Sequence, residues 1–234
     1  MYIVTGVSRG LGKAIVEELL AKNEKVIGVG RSHSFENENF SFIPCNLSNP
    51  IEIDAIEWPT LYEKVVLINN AGVLGEINRL SDQVLNDLEQ VLNVNVVAPV
   101  KLLQSVYSHI KDKSNFTLVN ISSGAANRAI PSWASYCASK AALNMMTEAF
   151  YLEELEKDNH PIVYTVSPGV IDTDMQLQIR NASQSQFSSV DNFIELKNSG
   201  SLYSGKLAAS KLLKLVNSPF TGEVFQDLRT IELD

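Results

Sequence analysis

Tyr136 and Lys140 are four residues apart in the segment SWASYCASKAALNMM, residues 132–146. On a helix, this spacing places both side chains on the same face. A phenol has an ordinary pKa of about 10 and is a poor acid or base at neutral pH. Because a neighbouring ammonium group favours the phenolate, Lys140 is expected to lower the pKa of Tyr136 toward the range useful for catalysis. Taken alone, the pair could also be the exposed polar edge of a helix.

The elements that must position this pair follow a simple alternation. Short apolar runs, typical of strands buried on both faces, occupy residues 2–5, 25–30, 40–44, 64–69, 116–122, 162–167 and 223–225. Apolar residues at helical spacing lie between several of these runs, as at residues 11–20, 84–96 and 141–152. The repeated strand–helix order predicts an α/β fold, in which a mostly parallel sheet lies between two layers of helices.

Composition limits the size and the class of the protein. The chain has 234 residues, a formal net charge of −8 and 45% hydrophobic residues, which suits one domain over residues 1–234. An acidic protein of this kind is not expected to bind nucleic acid. No apolar run of membrane-spanning length and no signal peptide are found, so a cytoplasmic protein without a membrane partner is expected. Cys45 and Cys137 form neither a disulfide pattern nor a metal-ligand pattern, and no metal site is expected.

A glycine-rich turn follows the first predicted strand in TGVSRGLGKAIVEELL, with Gly6, Gly10 and Gly12 before a helix. Such glycines allow a tight turn, close approach of a phosphate to the backbone, and close packing of helix on strand. The N–H groups at the helix start and the positive end of its dipole favour a pyrophosphate. The motif therefore predicts a dinucleotide site in a Rossmann-type, doubly wound, three-layer fold, although a turn without a ligand has the same pattern.

The end of the second strand indicates which dinucleotide is bound. NAD sites usually place a carboxylate there, whereas an arginine can pair with the 2′-phosphate of NADP. This chain has Gly30-Arg31-Ser32, with no carboxylate until Glu36, and Arg9 lies in the glycine turn. Two guanidinium groups favour NADPH/NADP+, unless both are solvated surface arginines.

Several motifs in a fixed order resemble the short-chain dehydrogenase/reductase family. They are TGVSRGLG (5–12), NNAG (69–72), NVNVVAP, ISSG (121–124), YCASK (136–140) and SPGVIDTDM (167–175), and they cover essentially the whole chain. The resemblance implies a nicotinamide-dependent oxidoreductase, commonly a homodimer or homotetramer that pairs through two long helices, here about residues 82–111 and 133–156. It also implies cofactor contacts from Gly6, Ser8, Arg9, Gly10, Leu11, Gly12, Arg31, Asn70, Ala71, Gly72, Tyr136, Lys140, Pro168, Gly169, Val170, Ile171 and Thr173.

The same resemblance assigns the catalytic roles. A serine 13 residues before the tyrosine holds the substrate oxygen in the family, which selects Ser123 over its neighbour Ser122. Tyr136 would donate the proton, and Lys140 would also bond the nicotinamide ribose. Asn95 would connect the lysine to solvent through water, with Asn93 as the competing candidate.

One departure from the family pattern follows the third strand. The family usually carries an aspartate before an apolar residue there, which accepts a bond from the adenine amine. This chain has Asn46-Leu47, and an asparagine carbonyl can still accept that bond.

The chain after the tyrosine helix resembles the sepiapterin reductase group, some of whose microbial members reduce aromatic vicinal diketones such as benzil. Residues 170–205 are expected to form a substrate loop or lid, although the polar segment 176–192 within them could also be an irregular surface. Trp133 and Met175, together with Phe187 and Phe193, could line an apolar substrate pocket or simply pack in the core. Asp227 could contact a substrate, as a C-terminal carboxylate does in that group.

These observations lead to one main functional hypothesis. The chain is expected to reduce a small-molecule ketone or vicinal dicarbonyl with NADPH, with the carbonyl oxygen between Ser123 and Tyr136. The alternative is an NADP-binding sensor of the same fold without catalysis, although its usual mark, damage at the serine, tyrosine or lysine, is absent. An epimerase or dehydratase of the extended relatives would need a larger C-terminal region.

Overall fold

The computed structural model describes residues 1–60 and 64–233, and within these ranges seven parallel strands form one sheet in the order β3-β2-β1-β4-β5-β6-β7. The strands are β1 (Tyr2–Thr5), β2 (Val26–Gly30), β3 (Phe40–Pro44), β4 (Val65–Asn69), β5 (Phe116–Ile121), β6 (Ile162–Ser167) and β7 (Phe225–Asp227). The last strand begins two residues later than the predicted run 223–225.

Helices lie in most of the connections between strands, although none lies between β2 and β3. They are α1 (Gly10–Leu20), α2 (Pro50–Asp54), α3 (Leu85–Leu92), α4 (Ala98–Ser108), α5 (Ala134–Glu156), α6 (Asp174–Arg180), α7 (Val190–Asn198) and α8 (Gly205–Asn217). A π-helical turn, Asn93–Val97, joins α3 to α4, and short 3-10 turns occur at Leu80–Asp82, Lys113–Asn115 and Gly124–Asn127.

Both faces of the sheet are covered because successive strand residues, which point to opposite faces, are mostly apolar. On one face, Val4 and Ile68 pack in a cluster with residues of α1 and α8. On the other face, Ile3 and Leu67 pack in a second cluster with Leu102 of α4. This arrangement confirms the predicted Rossmann-type, doubly wound, three-layer fold, with a sheet that is parallel in every pair described.

The strand order reverses between β1 and β4. The chain first runs outward from β1 to β3 and then returns to place β4 on the other side of β1. In open parallel sheets, ligands bind at this switch point, outside the carboxyl ends of the strands. The glycine turn, the segment after β4, Ser123 and Pro168 all follow the carboxyl ends of their strands, so the topology brings these motifs to one edge.

The helix predicted over residues 82–111 is interrupted in its middle by the π-helical turn. Proline lacks a backbone N–H, so Pro99 cannot bond to the Asn95 carbonyl four residues earlier, as an α-helix requires. π-helical turns inside helices are frequent at functional sites.

The polar segment 176–192 is not wholly irregular. Residues up to Arg180 belong to α6, and α7 begins at Val190. Ile179 and Phe187 are 2% and 0% exposed, so apolar anchors fold this segment onto the rest of the chain despite its polar composition.

Candidate active site

The glycine turn between β1 and α1 has the backbone geometry that its sequence predicts. Gly6 and Gly10 have φ values of 71° and 58°, a region that glycine adopts without steric cost. A Cβ on Gly12 would lie 2.3 Å from the Gly6 carbonyl oxygen, so the start of α1 packs directly on the turn. Ser8 and Arg9 are exposed. The Leu11 side chain is buried, so only the backbone of Leu11 could contact a ligand.

The first turn of α1 carries no acidic side chain, and no side chain caps its N-terminus. The positive end of the helix dipole therefore has no countercharge from α1 itself, which favours an anion there. Together, the turn and the helix start fit the pyrophosphate of a dinucleotide.

The segment after β4 braces this turn. The Thr5 hydroxyl oxygen accepts hydrogen bonds from the backbone N–H groups of Asn70 and Ala71, both at 2.9 Å. The Asn70 side chain donates to the carbonyls of Thr5 (2.9 Å) and Gly6 (3.3 Å). Asn70 and Ala71 therefore fix the shape of the glycine turn, a contribution that their motif alone did not indicate.

The two predicted cofactor arginines differ in their surroundings. The Arg9 guanidinium forms a 2.8 Å ion pair with Asp174 at the start of α6, and both side chains are exposed. Arg31 directly follows β2 and is exposed, and Gly30 before it lies beside Gly6. Arg9 is therefore already engaged by a carboxylate, which the sequence analysis did not foresee.

Asn46 uses its side-chain carbonyl locally. That oxygen accepts from the backbone N–H of Ser48 at 3.2 Å and from its hydroxyl at 2.9 Å. Leu47 is buried in the core beneath the sheet. The predicted adenine acceptor therefore already closes a turn, and an adenine amine would have to share its oxygen with Ser48.

Tyr136 and Lys140 lie on α5 and are both buried, 7% and 4% exposed. Burial raises the pKa of Tyr136, and the Ser123 hydroxyl opposes this shift only in part. Burial also lowers the pKa of Lys140 to about 8. The expectation that Lys140 brings the tyrosine pKa down is therefore wrong for this structure, because desolvation disfavours the charged form of each group. Tyr136 is a neutral phenol at neutral pH.

The Lys140 ammonium lies 5.8 Å from the centre of the Tyr136 ring and donates to the Ile121 carbonyl at 2.8 Å. A Cβ on Gly72 would lie 3.4 Å from the Lys140 Nζ and 3.4 Å from the Asn95 Oδ1. Gly72 therefore lies directly against both polar groups.

Ser123 and Ser122 have different partners. Ser123 precedes a 3-10 turn, and its Oγ accepts from the backbone N–H of Ala125 at 3.1 Å. Ser122 is buried, and its hydroxyl donates to Asn144. The hydroxyl of Ser122 thus points elsewhere, as predicted, and Ser123 is the serine whose side chain influences Tyr136.

Asn95 is fully buried in the π-helical turn. Its Oδ1 accepts from the Val73 N–H (2.9 Å), and its Nδ2 donates to the Val73 carbonyl (2.8 Å) and to the Ser139 hydroxyl (3.0 Å). Asn93 is only half-buried. Asn95 therefore ties the segment after β4 to α5, and its side chain is occupied by protein groups.

Comparison with known proteins connects this geometry to a family. The family described as short chain dehydrogenase matches residues 1–184. A benzil reductase ((S)-benzoin forming) of Bacillus subtilis (strain 168) is 34% identical over 226 residues, 92% of this chain and 93% of the relative. The chain belongs to the short-chain dehydrogenase family.

Other relatives agree with this assignment. A sepiapterin reductase of Bos taurus is 35% identical over 173 residues, 68% of this chain and 60% of the relative. The crystal structure of the short chain dehydrogenase/reductase YIR035C from Saccharomyces cerevisiae has a TM-score of 0.83 at 28% identity, covering 97% of this chain and 95% of that one. As a short-chain dehydrogenase, the protein is an oxidoreductase that uses a nicotinamide cofactor. In the described part of the chain, no helix combines the length and the apolar character needed to cross a bilayer.

The loop after β6 of this dehydrogenase returns to the glycine turn. Gly169 has a φ of 76°, and the Val170 carbonyl accepts from the Tyr203 N–H at 2.9 Å. Ile171 forms an isolated parallel bridge with the same residue. The Thr173 methyl group lies 3.3 Å from the Cβ position of Gly10, so residues 168–173 close one side of the predicted cofactor site.

Aromatic side chains form a wall beside Tyr136. Trp133 is 5.9 Å from Tyr136 between ring centres, stacks on Phe187 at 5.1 Å and contacts Phe193 at 5.3 Å. Met175 is half-buried and packs against the same cluster. The predicted pocket residues are thus brought together, with Phe187 wholly in the core.

Two charged residues of this dehydrogenase were missed by sequence reasoning. Asp174 pairs with Arg9 across 165 positions of sequence, and no local pattern signals such a contact. Arg229 binds both carboxylate oxygens of Asp227 and lowers the pKa of Asp227. At the carboxyl end of β7, Asp227 is therefore a charged carboxylate that is already paired with an arginine.

Proposed function

We propose that the protein is an NADPH-dependent carbonyl reductase that reduces a ketone or a vicinal dicarbonyl compound. The proposal depends on one observation: Ser123, Tyr136 and Lys140 lie together at the carboxyl ends of the strands, beside the glycine turn. That turn packs so closely on the start of α1 that a Cβ at Gly12 would clash. A neutral phenol beside a hydroxyl is suited to give a proton to an oxygen that accumulates negative charge.

The cofactor would be held by groups of this chain with distinct tasks. The glycine turn and the start of α1 would bind the pyrophosphate, and the loop at residues 168–173 would hold the nicotinamide end. When bound, a reduced nicotinamide supplies the hydride. Lys140 is buried, and a cation there is suited to bond the ribose next to the reacting ring.

Tyr136 and Ser123 would act on the substrate oxygen. The raised pKa keeps the proton on the phenol until charge develops on that oxygen. The Ser123 hydroxyl would donate to the same oxygen, and such a donor in a water-poor site contributes substantially to the rate. The Lys140 ammonium has a pKa of about 8, so it can give up or take back a proton near neutral pH.

A Tyr136→Phe variant tests the assignment of the acid. The variant should fold and bind NADPH but lose roughly 10²- to 10⁴-fold in turnover, because the proton donor is removed. Turnover is measured as NADPH oxidation with benzil, sepiapterin and simple ketones. Tyr151→Phe, which lies toward the other end of α5 and packs against Phe220, is the matched control and should keep wild-type activity. Wild-type turnover in Tyr136→Phe would refute the assignment, and binding without turnover in the native chain would favour the sensor alternative.

The NADPH preference is proposed from Arg31. It follows β2 at the position where NAD sites place a carboxylate, and Arg9 is a second cation that would exchange Asp174 for the phosphate. Arg31→Ala should weaken NADPH binding by about 10- to 100-fold and leave NADH binding unchanged. Lys22→Ala, in the turn that follows the far end of α1, is the control. Equal losses for both dinucleotides would contradict the preference.

The aromatic wall and the relatives suggest the substrate class. The B. subtilis and B. taurus relatives are named for benzil and sepiapterin, which both carry a carbonyl group next to a conjugated ring. Stacked aromatic side chains favour such rings. We extend the proposal to aromatic carbonyl compounds, with residues 170–205 forming part of the substrate wall.

Exposed apolar residues on two helices support a proposal on the oligomeric state. Leu85 on α3 and Met145 and Leu152 on α5 are 74%, 66% and 53% exposed. We propose that these faces join copies of the chain in a homodimer or homotetramer. Met145→Glu combined with Leu152→Glu should give a monomer in light scattering, whereas Ile51→Glu on α2 should not. A monomeric native chain would contradict the proposal.

A further inference from the structure

Trp133 differs from the phenylalanines of the aromatic wall because it has a polar atom, and that atom forms no hydrogen bond within the described residues. The residue is 6% exposed, and its indole Nε1 is buried without a hydrogen-bond partner among residues 1–60 and 64–233. Buried polar groups in folded proteins are nearly always paired, so such a donor calls for a partner. The second tryptophan, Trp58, follows this rule and donates to the Ser105 hydroxyl at 2.7 Å.

Neither phenylalanine ring packed on Trp133 offers a conventional acceptor for this N–H. The group lies in the ring plane, and Phe187 is stacked at an interplanar angle of 22°, so the N–H does not point into its face. Phe193 is tilted by 44° and offers no lone pair. The ring is perpendicular to that of Tyr136, at 89°, and thus forms part of the wall next to the predicted proton donor.

The position of the ring is fixed by its neighbours. Ser132 has a φ of 71°, its hydroxyl donates to the Gln186 carbonyl at 2.6 Å, and its own carbonyl accepts from Asn78. The Trp133 carbonyl accepts from the Cys137 N–H at 2.8 Å in the first turn of α5. A donor held in this way is preorganised, so a ligand that binds it does not have to order it.

We propose that the Trp133 indole N–H donates to a second oxygen of the substrate, next to the carbonyl that is reduced, and so selects vicinal dicarbonyl compounds over simple ketones. This inference depends on the proposed carbonyl reductase activity. The two carbonyl carbons of a vicinal diketone are directly bonded, so its second oxygen stays near Tyr136 when the first is held there. A simple ketone leaves the indole donor buried and unpaired, and such sites reject analogues that lack the bonding group.

The test compares two probes that differ in one oxygen. Benzil carries two phenyl rings and two carbonyls, whereas deoxybenzoin carries the same rings with one carbonyl replaced by a methylene. Trp133→Phe keeps an aromatic ring in the wall and removes the N–H. We expect kcat/KM for benzil to fall by about 5- to 100-fold in this variant, with deoxybenzoin changed by less than about twofold. Trp58→Phe, which loses an N–H far from the site, should change neither value.

A second pair of variants keeps the test valid if Trp133→Phe folds poorly. Trp133→His retains a ring N–H and Trp133→Leu does not, so the ratio of benzil to deoxybenzoin kcat/KM should be higher in the histidine variant. Equal losses for both probes would show that Trp133 only packs, and no loss for either would show that its N–H is not used. If the native enzyme reduces carbonyls and needs Tyr136 to do so, but the Trp133 variants leave the ratio of benzil to deoxybenzoin kcat/KM unchanged, this inference alone is overturned. Failure of the native chain to reduce any carbonyl would overturn the proposed function as well.

Discussion

Replacing Lys140 by methionine is expected to change how the stability of the protein depends on pH. Lys140 is 4% exposed and bonds to the Ile121 carbonyl, with no carboxylate partner among the residues described. Desolvation lowers the pKa of Lys140 from 10.5 to about 8 in the folded state. At about 1.4 kcal/mol per pH unit, this difference corresponds to about 3 kcal/mol of stability.

The direction of this pH dependence follows from the number of protons that the folded and unfolded chains bind. Below pH 8, the lysine is charged in both states, and the cost of burying the ammonium is fully present. Between pH 8 and 10.5, the unfolded chain binds more protons than the folded chain, so stability rises with pH. The free energy of unfolding of the lysine protein, relative to that of Lys140→Met, should therefore rise by about 3 kcal/mol across this window.

The assay is urea unfolding followed by circular dichroism at constant ionic strength. Both chains should carry Tyr136→Phe, because the neighbouring phenol would otherwise titrate in the same range. Lys140→Gln is the matched control, since a second neutral side chain should give the same pH slope whatever its absolute stability. A difference that stays constant or falls from pH 8 to 10.5 would show that the ammonium is solvated, and the burial argument would fail.

Three further substitutions test the packing of the site. Gly12→Ala should destabilise the protein by about 1–3 kcal/mol and weaken NADPH binding, because its methyl group would meet the Gly6 carbonyl. Helix propensity alone predicts about 1 kcal/mol of stabilisation, so thermal unfolding decides the sign, and calorimetric titration measures the binding. Asn95→Ala should cost about 2–4 kcal/mol in urea unfolding, since the N–H and the carbonyl of Val73 lose their side-chain partner and Ser139 keeps only its bond to Tyr136. Half-buried Asn93→Ala should cost less than about 1 kcal/mol, and similar costs for the two variants would contradict this interpretation. Phe187→Ala should cost about 3–5 kcal/mol in the same assay because it opens a cavity beside Trp133, and a loss below about 1 kcal/mol would mean that the aromatic wall is loosely packed.

Much of the fold follows from local patterns. The apolar runs predicted all seven strands of the described sheet to within about two residues, because strands buried on both faces need continuous apolar side chains. The glycine spacing predicted the tight turn before α1, since few residues other than glycine adopt positive φ there. The break at the π-helical turn was missed, although Pro99 offered a signal for it.

The sequence by itself determined which polar groups can be presented together, because Tyr136, Lys140 and Ser123 lie close enough along the chain for one helix and one strand end to hold them. Only the tertiary structure decided the direction in which the pKa of Tyr136 shifts, since burial depends on every element packed around α5. The Arg9–Asp174 ion pair and the partners of Asn95 were likewise decided by tertiary structure, because they join residues 22 to 165 positions apart. Spacing along the chain specifies which groups can share an element, whereas desolvation and long-range contacts arise only when the elements pack together.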